Sequence, residues 1–128
     1  MEHELTIQQV AAMTGLSEHT LRYYEREQLL DPVSRASNGH RRYSPADIAW
    51  IEFLNRLRAT GMPIRQMQHF AELRRQGVVT AGDRLALLRE HQRVVKQRVL
   101  DLERNLAVIE HKIRYYEEME TQHGASDG

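Results

Sequence analysis

Residues 85–116 read LALLREHQRVVKQRVLDLERNLAVIEHKIRYY. Taken in alternating steps of three and four they give Leu85, Leu88, Gln92, Val95, Val99, Leu102, Leu106, Ile109, Ile113 and Tyr116, an apolar row that only Gln92 interrupts. No Gly or Pro falls within it. A repeat of about 3.5 residues held over about four heptads marks a coiled-coil seam, narrower than the apolar face of a helix packed in a globule. One helix cannot bury such a seam against itself, so residues 80–120 are expected to form a dimerisation helix. Residues 121–128 are expected to be a disordered tail.

The charges beside the seam select its polarity. With Leu85 and Val99 in one core row and Leu88 and Leu102 in the other, the flanking row is Arg89, Lys96, Glu103, Glu110 and Glu117, basic first and acidic later. An antiparallel pair brings Arg89 towards the partner's Glu110 and Lys96 towards the partner's Glu103, each twice by symmetry. A parallel pair sets Arg84 near the partner's Arg89 and His91 near the partner's Lys96. Exposed pairs contribute a few tenths of a kcal/mol each, so they choose orientation, while buried seam residues supply about 1.5–3 kcal/mol gross apiece. The antiparallel register that uses the whole seam sets Leu85 against the partner's Tyr116 and Val99 against the partner's Leu102, with the twofold near Leu100 and Asp101. Gln92 against the partner's Ile109 is its weak layer.

Composition bounds what precedes the seam. The chain has 128 residues, 41% hydrophobic and 28% charged, which fits one small domain plus an extension. There is no cysteine, which excludes disulfides and thiolate metal or redox sites and points to the cytoplasm. The polar start MEHELTIQQV is no signal peptide, and no segment is apolar enough to span a membrane. Eighteen basic and eighteen acidic residues balance, so a nucleic-acid partner must be argued from where the arginines sit.

Working back towards the N-terminus, Thr6 with Gln9 forms a capping box that opens a helix to about Met13, with Val10, Ala11 and Leu16 inward. Gly15 supplies the positive φ of a C-terminal cap, and Ser17 caps a second helix over about 18–27. Two short helices joined by a tight glycine-containing turn are the helix-turn-helix pattern. The second reads SEHTLRYYERE: Leu21 would pack on the first helix, leaving Ser17, His19, Thr20, Arg22, Tyr23 and Arg26 for a major groove. The competing assignment is a solvated charged helix with Tyr23 or Tyr24 in the core.

The following segment favours DNA. Pro32 stops the helix, and Asn38-Gly39 in VSRASNGHRRY is a strong hairpin signal. A wing is expected over about 33–43, carrying Arg35, His40, Arg41 and Arg42 to phosphates. Ser44-Pro45-Ala46-Asp47 starts a helix over about 45–60 that Gly61 ends, and Met62-Pro63 starts another over about 63–76 that Gly77 ends. Residues 1–77 are thus expected to form a winged helix-turn-helix head. The expected class is mainly α, with this head followed by a long C-terminal helix forming an antiparallel dimeric coiled coil.

LTIQQVAAMTGLSEHTLRYYEREQLLDP, then NGHRRY, then LRATGMPIRQM resembles the MerR family of bacterial transcription regulators over about Leu5 to Gly77, and the long terminal helix fits as well. The resemblance implies a homodimer that binds double-stranded DNA at a palindrome between over-spaced promoter elements. It distorts the site and realigns those elements for RNA polymerase when an effector binds. Carried over position by position, Arg22 and Tyr23 match recognition-helix contacts, His19 and Thr20 are candidate base readers, Tyr24 belongs to the aromatic pair, and Arg41, Arg42 and Tyr43 match the wing. Two departures stand out. Metal-sensing members carry cysteines near the end of the long helix, and a subgroup similar through TGMP carries one where this chain has Arg56. The separate drug-binding domain of longer members is also expected to be missing.

Other chemistry finds little support. His3, His19, His40, His69, His91, His111 and His123 include no pair at the i, i+4 spacing of a helical zinc site, so no metal or other cofactor is expected. No nucleophile motif, phosphate loop or paired-carboxylate context suggests an enzyme. Trp50, Phe53, Met67 and Phe70, with Arg56, are candidates for the pocket of an unidentified small-molecule effector where the third and fourth helices meet the partner's long helix, against the simpler assignment of core or interface packing. The leading expectation is an effector-responsive dimeric regulator. The alternatives are a constitutive repressor or architectural DNA binder, and a coiled-coil protein-interaction adaptor whose winged head binds protein.

Overall fold

The computed structural model describes residues 5–31 and 42–127, with side chains through Gly124. Among them are α1 (Ile7–Thr14), α2 (Glu18–Arg26), α3 (Pro45–Ala59), α4 (Ile64–Arg75), a 3-10 turn (Gly77–Thr80) and α5 (Ala81–Asp127). The chain divides into two compact units, Met1–Leu88 and Arg89–Gly128.

Local chemistry explains each boundary in the first unit. The Thr6 hydroxyl accepts from Gln9 N at 3.2 Å while Thr6 N donates to the Gln9 side chain at 2.8 Å, satisfying two amide groups that the helix itself leaves unpaired. Gly15, at φ 75°, closes α1, and its N–H reaches Ala11 O at 2.9 Å. Ser17 Oγ accepts from Thr20 N at 3.0 Å to start α2. Ser44 and Asp47 form a second capping box, at 2.9 and 3.2 Å, with Pro45 in the first turn of α3.

The core gathers one face of each helix. Val10, Leu21, Tyr24, Ile51 and Leu54 are completely buried, joined by Leu29, Tyr43, Leu57, Met62 and Met67. Leu5 and Tyr43 pair as an antiparallel bridge, with both N–H···O distances 2.7 Å, tying the residue before the N-cap of α1 to the residue before the N-cap of α3. The expected hairpin turn at Asn38-Gly39 lies outside the described residues.

Two expectations need correction. The segment 121–128 was expected to be disordered, yet α5 runs to Asp127. It contains no proline to stop it, and the Thr121 hydroxyl bonds back to Glu117 O at 2.9 Å. Leu88, placed in the dimer seam, packs with Leu87 against the core of the first unit. Between α4 and α5 the Gly77–Thr80 turn is itself pinned. The buried Thr80 hydroxyl donates to Leu73 O, and Arg84 Nη2 donates to Gly77 O at 2.6 Å, so the elbow from α4 into α5 is hydrogen-bonded shut.

Candidate nucleic-acid interface

The orientation of α2 follows from what it buries. Leu21 and Tyr24 have no exposed surface, and with about 100° per residue the opposite side presents His19, Arg22 and Arg26, all exposed. Ser17 is also exposed. Thr20 is half-buried and its hydroxyl lies 3.0 Å from Ser17 Oγ, so the first turn of the helix is internally braced. Tyr23 is half-buried at the edge of the core, its ring centroid 6.2 Å from that of Tyr24. Arg22 is drawn back along the helix to Glu18, Nη2 to Oε1 3.2 Å.

At the wing, Arg35, His40 and Arg41 lie outside the described residues. Arg42 is half-buried, while Tyr43, expected to touch DNA, is wholly buried and offers no surface for a contact. In extended backbone successive side chains alternate sides, and the pairing with Leu5 turns Tyr43 inward. Tyr43 therefore belongs to the core just ahead of α3. Tyr24 has the corresponding role under α2, with the Arg58 guanidinium 5.9 Å from its ring centroid.

The turn leaving α2 is held by side chains that no sequence motif marked. Gln68 Nε2 donates to Glu27 O at 3.1 Å, Arg75 Nη2 donates to Gln28 O, and Trp50 Nε1 donates to Leu29 O at 2.7 Å in a buried bond. Arg75 Nε meets Asp31 Oδ1 at 2.8 Å, and its Nη1 meets Glu72 at 3.2 Å. The hydrogen bond to Asp31 is the main reason the Arg75 guanidinium holds its proton more tightly than usual. Gln28 itself adopts φ 62°, a left-handed conformation for a residue with a side chain. α3 and α4 together therefore hold the turn that leaves α2, from Glu27 to Asp31. The contacts to the turn join residues far apart in sequence, which is why motif and periodicity missed Gln68 and Arg75.

The candidate effector residues are arranged as packing. Trp50, Met67 and Phe70 are buried, and Trp50 stacks on Phe70 at 5.8 Å with an interplanar angle of 13°. Phe53 joins them at 6.1 and 5.9 Å, and the Arg74 guanidinium lies 4.3 Å from the Trp50 ring centroid. Arg56 is not part of that group. It lines a separate polar cleft of about 190 Å³ with Met13, Thr14, Glu52 and Asn55. In the single chain these aromatic side chains pack on one another, with Phe53 partly open, and Arg56 stands apart from them.

On α5, Leu85, Val99, Leu102, Leu106, Ile109, Ile113 and Tyr116 are exposed, Leu102 by as much as 68%. Val95 is half-buried and Gln92 exposed. Among the described residues there is no cluster of three or more metal-ligating side chains, and no helix is long and apolar enough to cross a membrane.

Comparison with known proteins agrees with this arrangement. The family model for MerR HTH family regulatory proteins matches residues 5–73. An HTH-type transcriptional regulator of Haemophilus influenzae is 35% identical over 112 residues, covering 88% of this chain and 83% of that protein. The HTH-type transcriptional regulator AdhR of Bacillus subtilis is 40% identical over 93 residues, 72% of this chain and 66% of its own. Among solved structures, HiNmlR, a MerR family regulator lacking the sensor domain and bound to promoter DNA, superposes with a TM-score of 0.82 at 34% identity, covering 90% of this chain and 91% of that one. A MerR family transcriptional regulator from Bacillus thuringiensis gives 0.78 at 33% identity, covering 86% and 96%. With a helix-turn-helix head whose recognition helix exposes arginine and histidine over a shared core, this chain belongs to the MerR family of DNA-binding transcription regulators.

Proposed function

We propose that the protein works in the cytoplasm as a homodimer that binds a palindromic promoter operator and distorts it, changing how RNA polymerase uses that promoter in response to a small-molecule effector. The observation that carries this is the apolar row on α5: seven seam residues from Leu85 to Tyr116 stand exposed in the single chain. A contiguous apolar stripe of that length calls for a partner, and a second copy supplies the same stripe. In the antiparallel register two heads occupy opposite ends of the pair, matching two half-sites about one helical turn, roughly 34 Å, or a multiple apart. Ser17, His19, Thr20, Arg22, Tyr23 and Arg26 of α2 would face the groove, with Arg35, His40, Arg41 and Arg42 on phosphates.

The test combines mass measurement with titration of labelled promoter duplex at several salt concentrations. A dimer is expected, with binding that falls steeply as salt rises, by about 0.9 in log–log slope for each phosphate neutralised. Arg22→Ala should weaken binding to all sequences and reduce that slope by roughly one unit. A monomer, or retention on DNA insensitive to salt and sequence, would sink the proposal in favour of a protein-binding adaptor.

A specific observation supports a second reading. Trp50, Met67 and Phe70 are closed into the core, which favours constitutive operator binding over sensing at that place. Transcription from the cognate promoter in a purified system separates the two: constitutive control is unaltered by any small molecule that shifts the thermal unfolding of the protein.

A further inference from the structure

The first turn of α2 carries an acid, Glu18, that is not among the residues assigned above to the groove or the phosphates. Glu18 lies on the flank of the face that presents His19, Arg22 and Arg26, and Arg22 Nη2 donates to its Oε1 at 3.2 Å. The two side chains are 38% and 47% exposed. An acid in the first turn of a helix has an ordinary use, because it faces the positive end of the macrodipole. On a helix lying in a major groove it meets a harder condition. A carboxylate among phosphates is repelled unless a donor receives it, and N-terminal residues of a recognition helix are the ones that reach base edges.

Arg22 meets part of that condition. It neutralises the carboxylate, and it holds only one of its two oxygens, leaving Oε2 as an acceptor with no donor in it to offer. Acceptor-only chemistry sorts the four bases. In the major groove guanine shows N7 and O6, and thymine shows O4, all acceptors that a carboxylate rejects. Adenine offers its N6 amine, but beside the N7 acceptor. Cytosine offers the N4 amine with no neighbouring acceptor, so it is the base that fits.

We infer that Glu18 is a specificity-determining residue that accepts a hydrogen bond from the N4 amine of a cytosine in each operator half-site, its carboxylate positioned by Arg22. This rests on the operator binding proposed above. The bracing between Ser17 and Thr20 next to it keeps the first turn of α2 in place for such a contact.

The experiment selects binding sites for the full-length protein from duplexes randomised across both half-sites, then repeats the selection with Glu18→Gln and Glu18→Ala. For the unmodified protein, cytosine is expected at one symmetric position in each half-site. Glu18→Gln replaces an acceptor-only group by one that also donates, which suits adenine N6 and N7, so the preference at that position should move to adenine with the other positions unchanged. Glu18→Ala should lose discrimination there by roughly tenfold or more. Thermal unfolding of both variants shows whether α2 survives, and glutamine, a good helix former, keeps the test open if alanine does not. Selection of the same base at every position by Glu18→Gln and the unmodified protein would overturn the assignment of Glu18 and leave operator binding standing. If the unmodified protein selected no sequence, operator binding itself would fail.

Discussion

Gln28 is the non-glycine residue with a positive φ among those described, at 62°. Left-handed backbone costs an L-residue with a side chain roughly 1–2 kcal/mol, and Arg75 holds it there by taking the Gln28 carbonyl. Gln28→Gly is therefore expected to raise stability, by up to about 1 kcal/mol once glycine's extra unfolded-state entropy is subtracted. Urea unfolding measures it, and a loss of stability would show that the turn is not strained. Trp50 poses the opposite case. Its N–H satisfies the buried Leu29 carbonyl, so Trp50→Phe leaves that carbonyl unpaired, with an expected loss of about 1–3 kcal/mol in the same assay. Tyr43 shows how a residue misleads when read alone. Beside Arg41 and Arg42 it looks like part of a DNA contact, and only the pairing with Leu5 decides that its ring points inward.

Between elements, two joints govern the head. One is the elbow, where Thr80 bonds the end of α4 at Leu73 O. Thr80→Val keeps the shape and removes the hydroxyl, so a destabilisation of about 1–2 kcal/mol is expected, seen as a lower urea midpoint with unchanged slope. The other is the grip of α4 on the turn after α2. Arg75→Ala removes bonds to Gln28 O and Asp31, the latter half-exposed and partly screened, so its effect on stability should be modest, about 0.5–1.5 kcal/mol. DNA affinity should fall several-fold although Arg75 lies off the recognition face, and an unchanged affinity would show that this joint does not orient α2. The raised Arg75 pKa adds stability that is complete below the unfolded value and is lost only as pH rises through the folded one. That window lies far above neutrality, so the Arg75 side of the joint should not respond to pH between 6 and 8, roughly the range over which histidine titrates.

For the molecule as a whole, the seam on α5 is the test. Leu102→Glu places a charge in the seam beside the expected twofold, against the partner's Val99, and should shift the protein to monomer by light scattering and abolish tight operator binding. The polarity of the pair has its own test. Lys96→Glu should weaken the dimer, and adding Glu103→Lys should restore it, because the antiparallel register sets the two opposite each other across chains. The change is a few tenths of a kcal/mol per pair and occurs twice, so it needs dimer dissociation measured at low salt. Failure of the second change to compensate would exclude this register.

How much could be read in advance depended on the range of the interaction. The capping boxes at Thr6 and Ser44, the glycine ends at Gly15, Gly61 and Gly77, and the period of the α5 row all act within a turn or a heptad, and the helices begin and end where those signals stand. The stretch resembling MerR regulators was legible for the same reason, since its TLRYYE and GHRRY segments are contiguous. The assignments that changed were those requiring distant residues to meet. Leu88 fits the heptad row as well as Leu85 does, and packing against the head takes it out of the free seam. Trp50, Phe53 and Phe70 have the chemistry of a pocket, and in the single chain their three rings close on one another. The order of residues carried the elements because hydrogen bonds at helix ends and side-chain periodicity are local. Which apolar surface stays available, and which arginines hold the exit of α2, arose only when α3 and α4 packed, because burial depends on every neighbour at once.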